Sequence, residues 1–113
     1  MNVQVKEETP TRRVLEIEIP PAEIEQELER VVADTARRAA LPGFRKGKVP
    51  RSMLEQRFGA SFEQETLERA IERACRQAFA ERNLAPLMPA EITDLKYQHG
   101  GPVTFQASIE VRP

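Results

Sequence analysis

The chain has 113 residues, 40% hydrophobic and 31% charged, with a net charge of −1. That length suits one domain with a true core, and that balance of apolar and charged side chains excludes a disordered polyelectrolyte. No apolar run approaches the ~20 residues of a membrane span, the start MNVQVKEETP shows neither the basic nor the apolar part of a signal peptide, and one cysteine, Cys75, cannot form an internal disulfide; the expectation is a cytoplasmic protein with no membrane contact.

Met1, Val3 and Val5 alternate with Asn2, Gln4 and Lys6, the period of a half-buried strand. EETPT follows as a turn. Leu15, Ile17 and Ile19 then alternate with Glu16 and Glu18, predicting a second strand that pairs with the first as a hairpin. Pro20-Pro21 ends the sheet, and Pro21 suits the first turn of a helix, where its missing N–H is not needed. Ile24, Leu28, Val31, Val32, Ala36 and Ala39 recur mostly in steps of three and four, giving that helix one apolar face. Glu23, Glu25, Glu27 and Glu29 crowd its start, and Arg37 and Arg38 its end. Both placements favour the helix dipole, which is the plain explanation for the two arginines.

Leu41-Pro42-Gly43 breaks the helix. A short helix is expected from about Pro50, carrying Met53, Leu54 and Phe58 inward and stopping at Gly59. Ser61, with Gln64 three positions on, reads as the N-cap of a further helix. That helix runs through Leu67, Ala70, Ile71, Ala74, Ala78 and Phe79 to about Arg82, with Asn83 closing it. Leu84 to Pro89 (LAPLMP) is extended and apolar, and is expected to strap against the helices. Ile92, Leu95 and Tyr97 suggest a third strand, His99-Gly100-Gly101-Pro102 a turn, and the alternation of Val103, Phe105, Ala107, Ile109 and Val111 a fourth. Strands segregated from helices predict an α+β fold: a four-stranded antiparallel sheet, made of two strand pairs flanking the helices in sequence, with two long helices and one short helix packed on it. Residues 1–113 are expected to form a single domain.

Chemistry finds little purchase. His99 sits in a Gly-Gly-Pro turn, and one His with one Cys makes no zinc-type cluster. Ser52, Ser61 and Ser108 lack a nucleophile-elbow setting. Glu63, Glu65, Glu68 and Glu72 read as solvated charge on a helix face. Cys75, in a helical pattern, reads as a semi-buried packing residue. GFRKGKV fails as a phosphate-binding loop: the glycines are too close, valine stands where Ser or Thr should be, and a helix precedes it. We expect no enzyme, no cofactor and no metal.

The informative stretch is LPGFRKGKVPRS, residues 41 to 52. Between Thr35 and Leu54 lie Arg37, Arg38, Arg45, Lys46, Lys48 and Arg51 and no acid, so this window carries +6 and the rest of the chain −7. An acidic body with one basic end suggests docking onto one polyanionic feature. Gly43 and Gly47 let the tip turn sharply, and Pro42 and Pro50 restrict its ends, lowering the ordering cost of binding. Phe44 offers a large apolar face beside Arg45, Lys46 and Lys48, a mixture suited to an apolar notch next to RNA phosphate. The bland alternative is an ordinary connection whose Phe44 folds back onto the domain.

Gly43-Phe44-Arg45-Lys46-Gly47-Lys48-Val49-Pro50 resembles the signature of the trigger factor family, bacterial ribosome-associated chaperones, and the resemblance extends over the element order of the whole chain. It implies an N-terminal ribosome-binding domain, a fragment of a longer chaperone, which docks beside the exit tunnel of the large ribosomal subunit. The loop would contact a tunnel-exit protein and the adjacent ribosomal RNA through Phe44, Arg45 and Lys46, with Gly43, Gly47 and Pro50 shaping it, and Lys48 joins this ribosome-binding set for the charge it adds. Nascent polypeptide is an implied partner, with Leu84 to Met88 as one candidate contact, and a homodimer off the ribosome is compatible. Prolyl-isomerase activity is implied only for a following domain. The competing class is a small RNA-binding module without a chaperone role. The net acidic body argues against it, as does the lack of paired aromatics on a strand.

Overall fold

Strict alternation of apolar and polar residues builds the centre of the sheet. The structure, a computed structural model, describes all residues 1–113. β1 (Asn2–Glu8), β2 (Arg12–Ile19), β3 (Glu91–Tyr97) and β4 (Val103–Glu110) form a four-stranded sheet in the order β1-β2-β4-β3, every neighbouring pair antiparallel. Two helices complete the chain, α1 (Pro21–Arg38) and α2 (Arg51–Glu81), and the class is α+β as expected. No helix is long and apolar enough to cross a membrane.

The chain divides into two compact units. The first comprises residues 1–21 and 71–113, and thus the whole sheet and the end of α2. β2 and β4 occupy its centre, in register from Arg12↔Glu110 to Ile19↔Val103. Leu15, Ile17, Val103, Phe105 and Ala107 are wholly buried, and Ala74, Cys75, Ala78 and Phe79 supply the buried positions of the helical segment. β1 and β3 are edges. Each holds one extra residue relative to its partner, between Val5 and Glu7 and between Thr93 and Lys96, where Asp94 takes a φ of 53°. The half-burial expected of the first strand holds at Met1 and Val3 but not at Val5, and on β3 Ile92 and Leu95 are exposed as well, because an edge strand has a neighbour on one side only. The first turn is also shorter than expected. Glu7 and Glu8 still pair with β2, and Thr9 N–H donates to the carbonyl of Arg12 at 2.9 Å.

The helix between the strand pairs is one element where a break at Gly59 and an N-cap at Ser61 were expected. Gly59 has helical neighbours on both sides, and Ser61 hydroxyl donates back to the Phe58 carbonyl at 2.8 Å instead of capping a new helix. A glycine costs a helix interior about 1 kcal/mol relative to alanine. Burial of Leu54 and Phe62 on either side of it, with Phe58 packed 6.3 Å from Phe62 between ring centroids, outweighs that cost. Met53, expected inward, is exposed, since Leu54 already occupies the inward position of that turn. α2 ends as expected. Asn83 adopts a φ of 53°, Leu84 N–H donates to Phe79 and Asn83 N–H to Ala80, a Schellman closure.

The second unit, residues 22–70, holds most of α1, the connecting loop and the start of α2. Val31, Val32, Ala39, Val49, Leu54 and Phe62 form its buried cluster, with Leu28, Ala36, Leu41 and Phe58 packed against it. One of the acids that crowd the start of α1 is buried: Glu27, whose carboxylate meets Arg30 Nη1 at 2.7 Å. A buried carboxylate is tolerable only when it is paired in this way.

Candidate functional site

The loop between α1 and α2 is built from two consecutive tight turns. Phe44 N–H donates to the Leu41 carbonyl at 3.1 Å, and Lys48 N–H to the Arg45 carbonyl at 2.9 Å. The third residue of each turn is a glycine with positive φ, Gly43 at 88° and Gly47 at 79°. That is the type II pattern, in which a side chain at the third position would be strained, and Pro42 stands where the first turn wants a fixed negative φ.

The loop is held at its feet. Ala39 and Val49 are buried in the cluster of the second unit, and Leu41 packs against that cluster. Gly47 N–H reaches back to the Ala39 carbonyl at 3.4 Å. A Cβ on Gly47 would lie 3.9 Å from the Arg37 carbonyl oxygen and 4.0 Å from that of Ala36, so the second turn lies against the last turn of α1. α2 then starts directly, with Pro50 carbonyl accepting from Met53 and Leu54.

With its feet buried, the loop turns outward the side chains expected from the sequence to make contacts. Phe44, Arg45, Lys46 and Lys48 are all exposed, and so are Gly43, Gly47 and Pro50. Phe44 keeps 40% of its surface accessible, which argues against its folding back into the core. No carboxylate pairs with Arg45, Lys46 or Lys48. The sequence window therefore contains two kinds of cation. Arg51 is occupied, with Nη1 on Glu29 at 3.0 Å and Nε on Glu55 at 2.9 Å, and those carboxylates raise its pKa, Glu55 most. Arg37 is occupied by Asp34. Asp34 also accepts from Arg69 Nη1 at 2.8 Å, and Arg69 Nη2 donates to Glu65 at 2.7 Å. The hydrogen bond from Arg69 chiefly, with help from Arg37, holds the Asp34 carboxyl below the usual range.

Elsewhere there is no comparable assembly. No group of three or more His, Cys, Asp or Glu side chains is gathered to hold a metal. His99 lies in an exposed turn closed by Gly101 N–H on the Gln98 carbonyl at 2.8 Å. Cys75 is buried, and burial pushes its thiol up to about 11, the reverse of what a nucleophile needs. The segment Leu84 to Pro89 departs from its expected role as a strap. Leu87 N–H donates to the Glu110 carbonyl at 2.9 Å, but the side chains of Leu87 and Met88 are more than half exposed. The proline-broken backbone follows the end of β4 without turning those side chains inward.

Comparison with known proteins gives a consistent result. A family model described as bacterial trigger factor protein matches residues 1–113. The trigger factor of an Anaeromyxobacter species is 36% identical over 114 residues, covering 100% of this chain and 26% of that protein. That of Mycobacterium avium is 38% identical over 115 residues, covering 100% of this chain and 25% of its relative. A solved structure of the trigger factor chaperone superposes with a TM-score of 0.70 at 26% identity, covering 99% of this chain and 26% of the other. The chain thus spans about a quarter of the length of these relatives.

Proposed function

The chain belongs to the trigger factor family of chaperones, and from that premise we propose that it is the N-terminal ribosome-docking domain of a longer, cytoplasmic cotranslational chaperone. The observation that carries the proposal is the loop of residues 41–50, whose buried feet and double turn present Phe44, Arg45, Lys46 and Lys48 to solvent on a backbone that needs little further ordering.

Each exposed side chain has a role in that reading. Phe44 enters an apolar notch on a protein at the tunnel exit of the large subunit. Arg45 engages ribosomal RNA phosphate, where its planar fork can bind two oxygens, and Lys46 and Lys48 act as point charges beside it. Gly43, Gly47 and Pro50 set the shape. Docking raises the local concentration of the chaperone near emerging chains, and this tethering is the mechanism. Exposed Leu87 and Met88 offer nascent polypeptide a small apolar contact. Prolyl-isomerase chemistry belongs to another part of the full-length protein, and the same loop is available for a homodimer contact off the ribosome.

The test is cosedimentation with purified bacterial ribosomes of the parent chain and of a variant with Phe44, Arg45 and Lys46 all replaced by alanine. The parent should sediment with the ribosomes and the variant should stay in the supernatant with an unchanged circular dichroism spectrum and melting temperature. Equal binding by both chains overturns the loop assignment.

A further inference from the structure

We propose that Arg38, at the end of α1, is a phosphate-contacting residue of the docking surface, while its neighbours in charge, Arg37 and Arg51, are not; this rests on the docking function proposed above. Charge pattern alone treats the six cations of the window as equivalent. The side-chain geometry separates them. Arg37 is held by Asp34, and Arg51 by Glu29 and Glu55. A guanidinium paired with a carboxylate meets an incoming phosphate as a neutral pair and adds little net attraction while that pair holds. Arg38 has no acid partner. Its Nε donates to the Asp34 backbone carbonyl at 3.3 Å, which fixes the base of the guanidinium and leaves its two amino nitrogens for an outside acceptor.

Position supports the same conclusion. Arg38 is exposed, one residue before Ala39, the carbonyl of which receives the Gly47 N–H. The second turn, with Lys46 and Lys48, is therefore fastened to the same end of α1 that carries Arg38. Four exposed cations without acid partners, Arg38, Arg45, Lys46 and Lys48, thus belong to the end of α1 and the loop fastened to it, a stretch of chain that holds no acid between Thr35 and Leu54. The occupant that fits is the phosphodiester backbone of RNA, since repeated phosphates match several separate cations at once. An acidic protein surface is the competing occupant.

The experiment measures affinity of the chain for ribosomes across a KCl series for the parent and for Arg38→Gln, Arg37→Gln and Arg51→Gln, after circular dichroism has confirmed that each is folded. Losing one phosphate contact should make the slope of log affinity against log salt shallower by about 0.7–0.9. That change is expected for Arg38→Gln and not for the other two. Equal shifts in Arg37→Gln and Arg38→Gln would show a general field effect and overturn the assignment. An unchanged slope in Arg38→Gln, while the loop triple variant loses binding, would overturn this inference and leave the docking function standing. Failure of the parent to bind would sink both. A photo-cross-linking amino acid placed at position 38 separates the occupants: an RNA adduct supports the proposal, and an adduct to ribosomal protein alone refutes it.

Discussion

Gly47 donates its backbone N–H to the carbonyl of Ala39, so a residue at the exposed tip of the loop is tied to a residue buried at its foot. The bond depends on the backbone of Gly47, whose φ of 79° an L side chain adopts only with strain. Gly47→Ala should therefore cost roughly 1–2 kcal/mol or break the tie. Chemical denaturation gives the stability, and, on the proposed docking function, ribosome cosedimentation should show weaker binding although none of the proposed contact side chains has changed. Parental stability and parental binding together would show that the tie does not shape the loop.

Gly59→Ala should act in the opposite direction. Gly59 is interior to α2, and nothing lies within 4 Å of the Cβ that alanine would add. Replacing a helical glycine by alanine stabilises by roughly 0.5–1 kcal/mol, read as a higher denaturation midpoint with unchanged slope. A loss of stability would mean that the glycine serves a bend the added methyl obstructs.

Phe62→Ala tests the cluster that holds the feet of the loop. Phe62 is buried among Val31, Val49 and Leu54 and packs against Phe58. Truncating such a side chain costs about 3–5 kcal/mol, a large part of the whole stability of a small domain. Ribosome binding should fall with the folded fraction, and a variant that stays fully folded at its parent's midpoint would contradict the cluster.

How much of this was legible from residues alone depends on what surrounds them. β2 and β4 were readable because both of their flanks are paired and one face is buried, so burial enforced the alternation of Leu15, Ile17, Ile19 and of Val103, Phe105, Ala107. The edge strands carry the same residue types, but Val5, Ile92 and Leu95 are exposed because position in the sheet, not periodicity, sets their burial. The loop was readable because positive φ demands glycine at 43 and 47, and the Asn83 cap for the same reason. Gly59-Ala60-Ser61 looked like punctuation, yet packing on both sides of it overrode a cost of only about 1 kcal/mol. Arg37 and Arg38 could not be told apart in sequence, since which of them finds Asp34 is a matter of side-chain direction.

Asp34 should make stability depend on acid pH. Its folded pKa lies below its ordinary value, so the stabilisation is fully present above the usual carboxylate range and is lost as pH falls through the folded pKa. Asp34→Asn should melt at a lower temperature than the parent near neutral pH, and the difference should shrink as the solution is acidified. A difference that stays constant down to strong acid would mean that the Arg69 and Arg37 contacts contribute nothing through charge.

Cys75 should act at the alkaline end. Its thiol is raised to about 11 in the fold, whereas in the unfolded chain it ionises near ~8.5. The unfolded state therefore loses its proton first, and stability contributed by the neutral buried thiol is lost as pH rises between those values. Iodoacetamide at mildly alkaline pH should label the unfolded chain quickly and the folded chain slowly. Equal labelling rates would show the thiol to be open to solvent.

The extra residues in β1 and β3 have a bearing on life among unfinished proteins. Both free margins of the sheet are interrupted, at Lys6 and at Asp94-Leu95, so neither offers a long, even row of unpaired amides and carbonyls. A straight margin would invite any extended chain nearby to zip onto it, one strand after another. At the station proposed for this chain, crowded with extended chains, such margins would disfavour lasting backbone pairing, and exposed side chains such as Leu87 and Met88 would be left to make the briefer contacts.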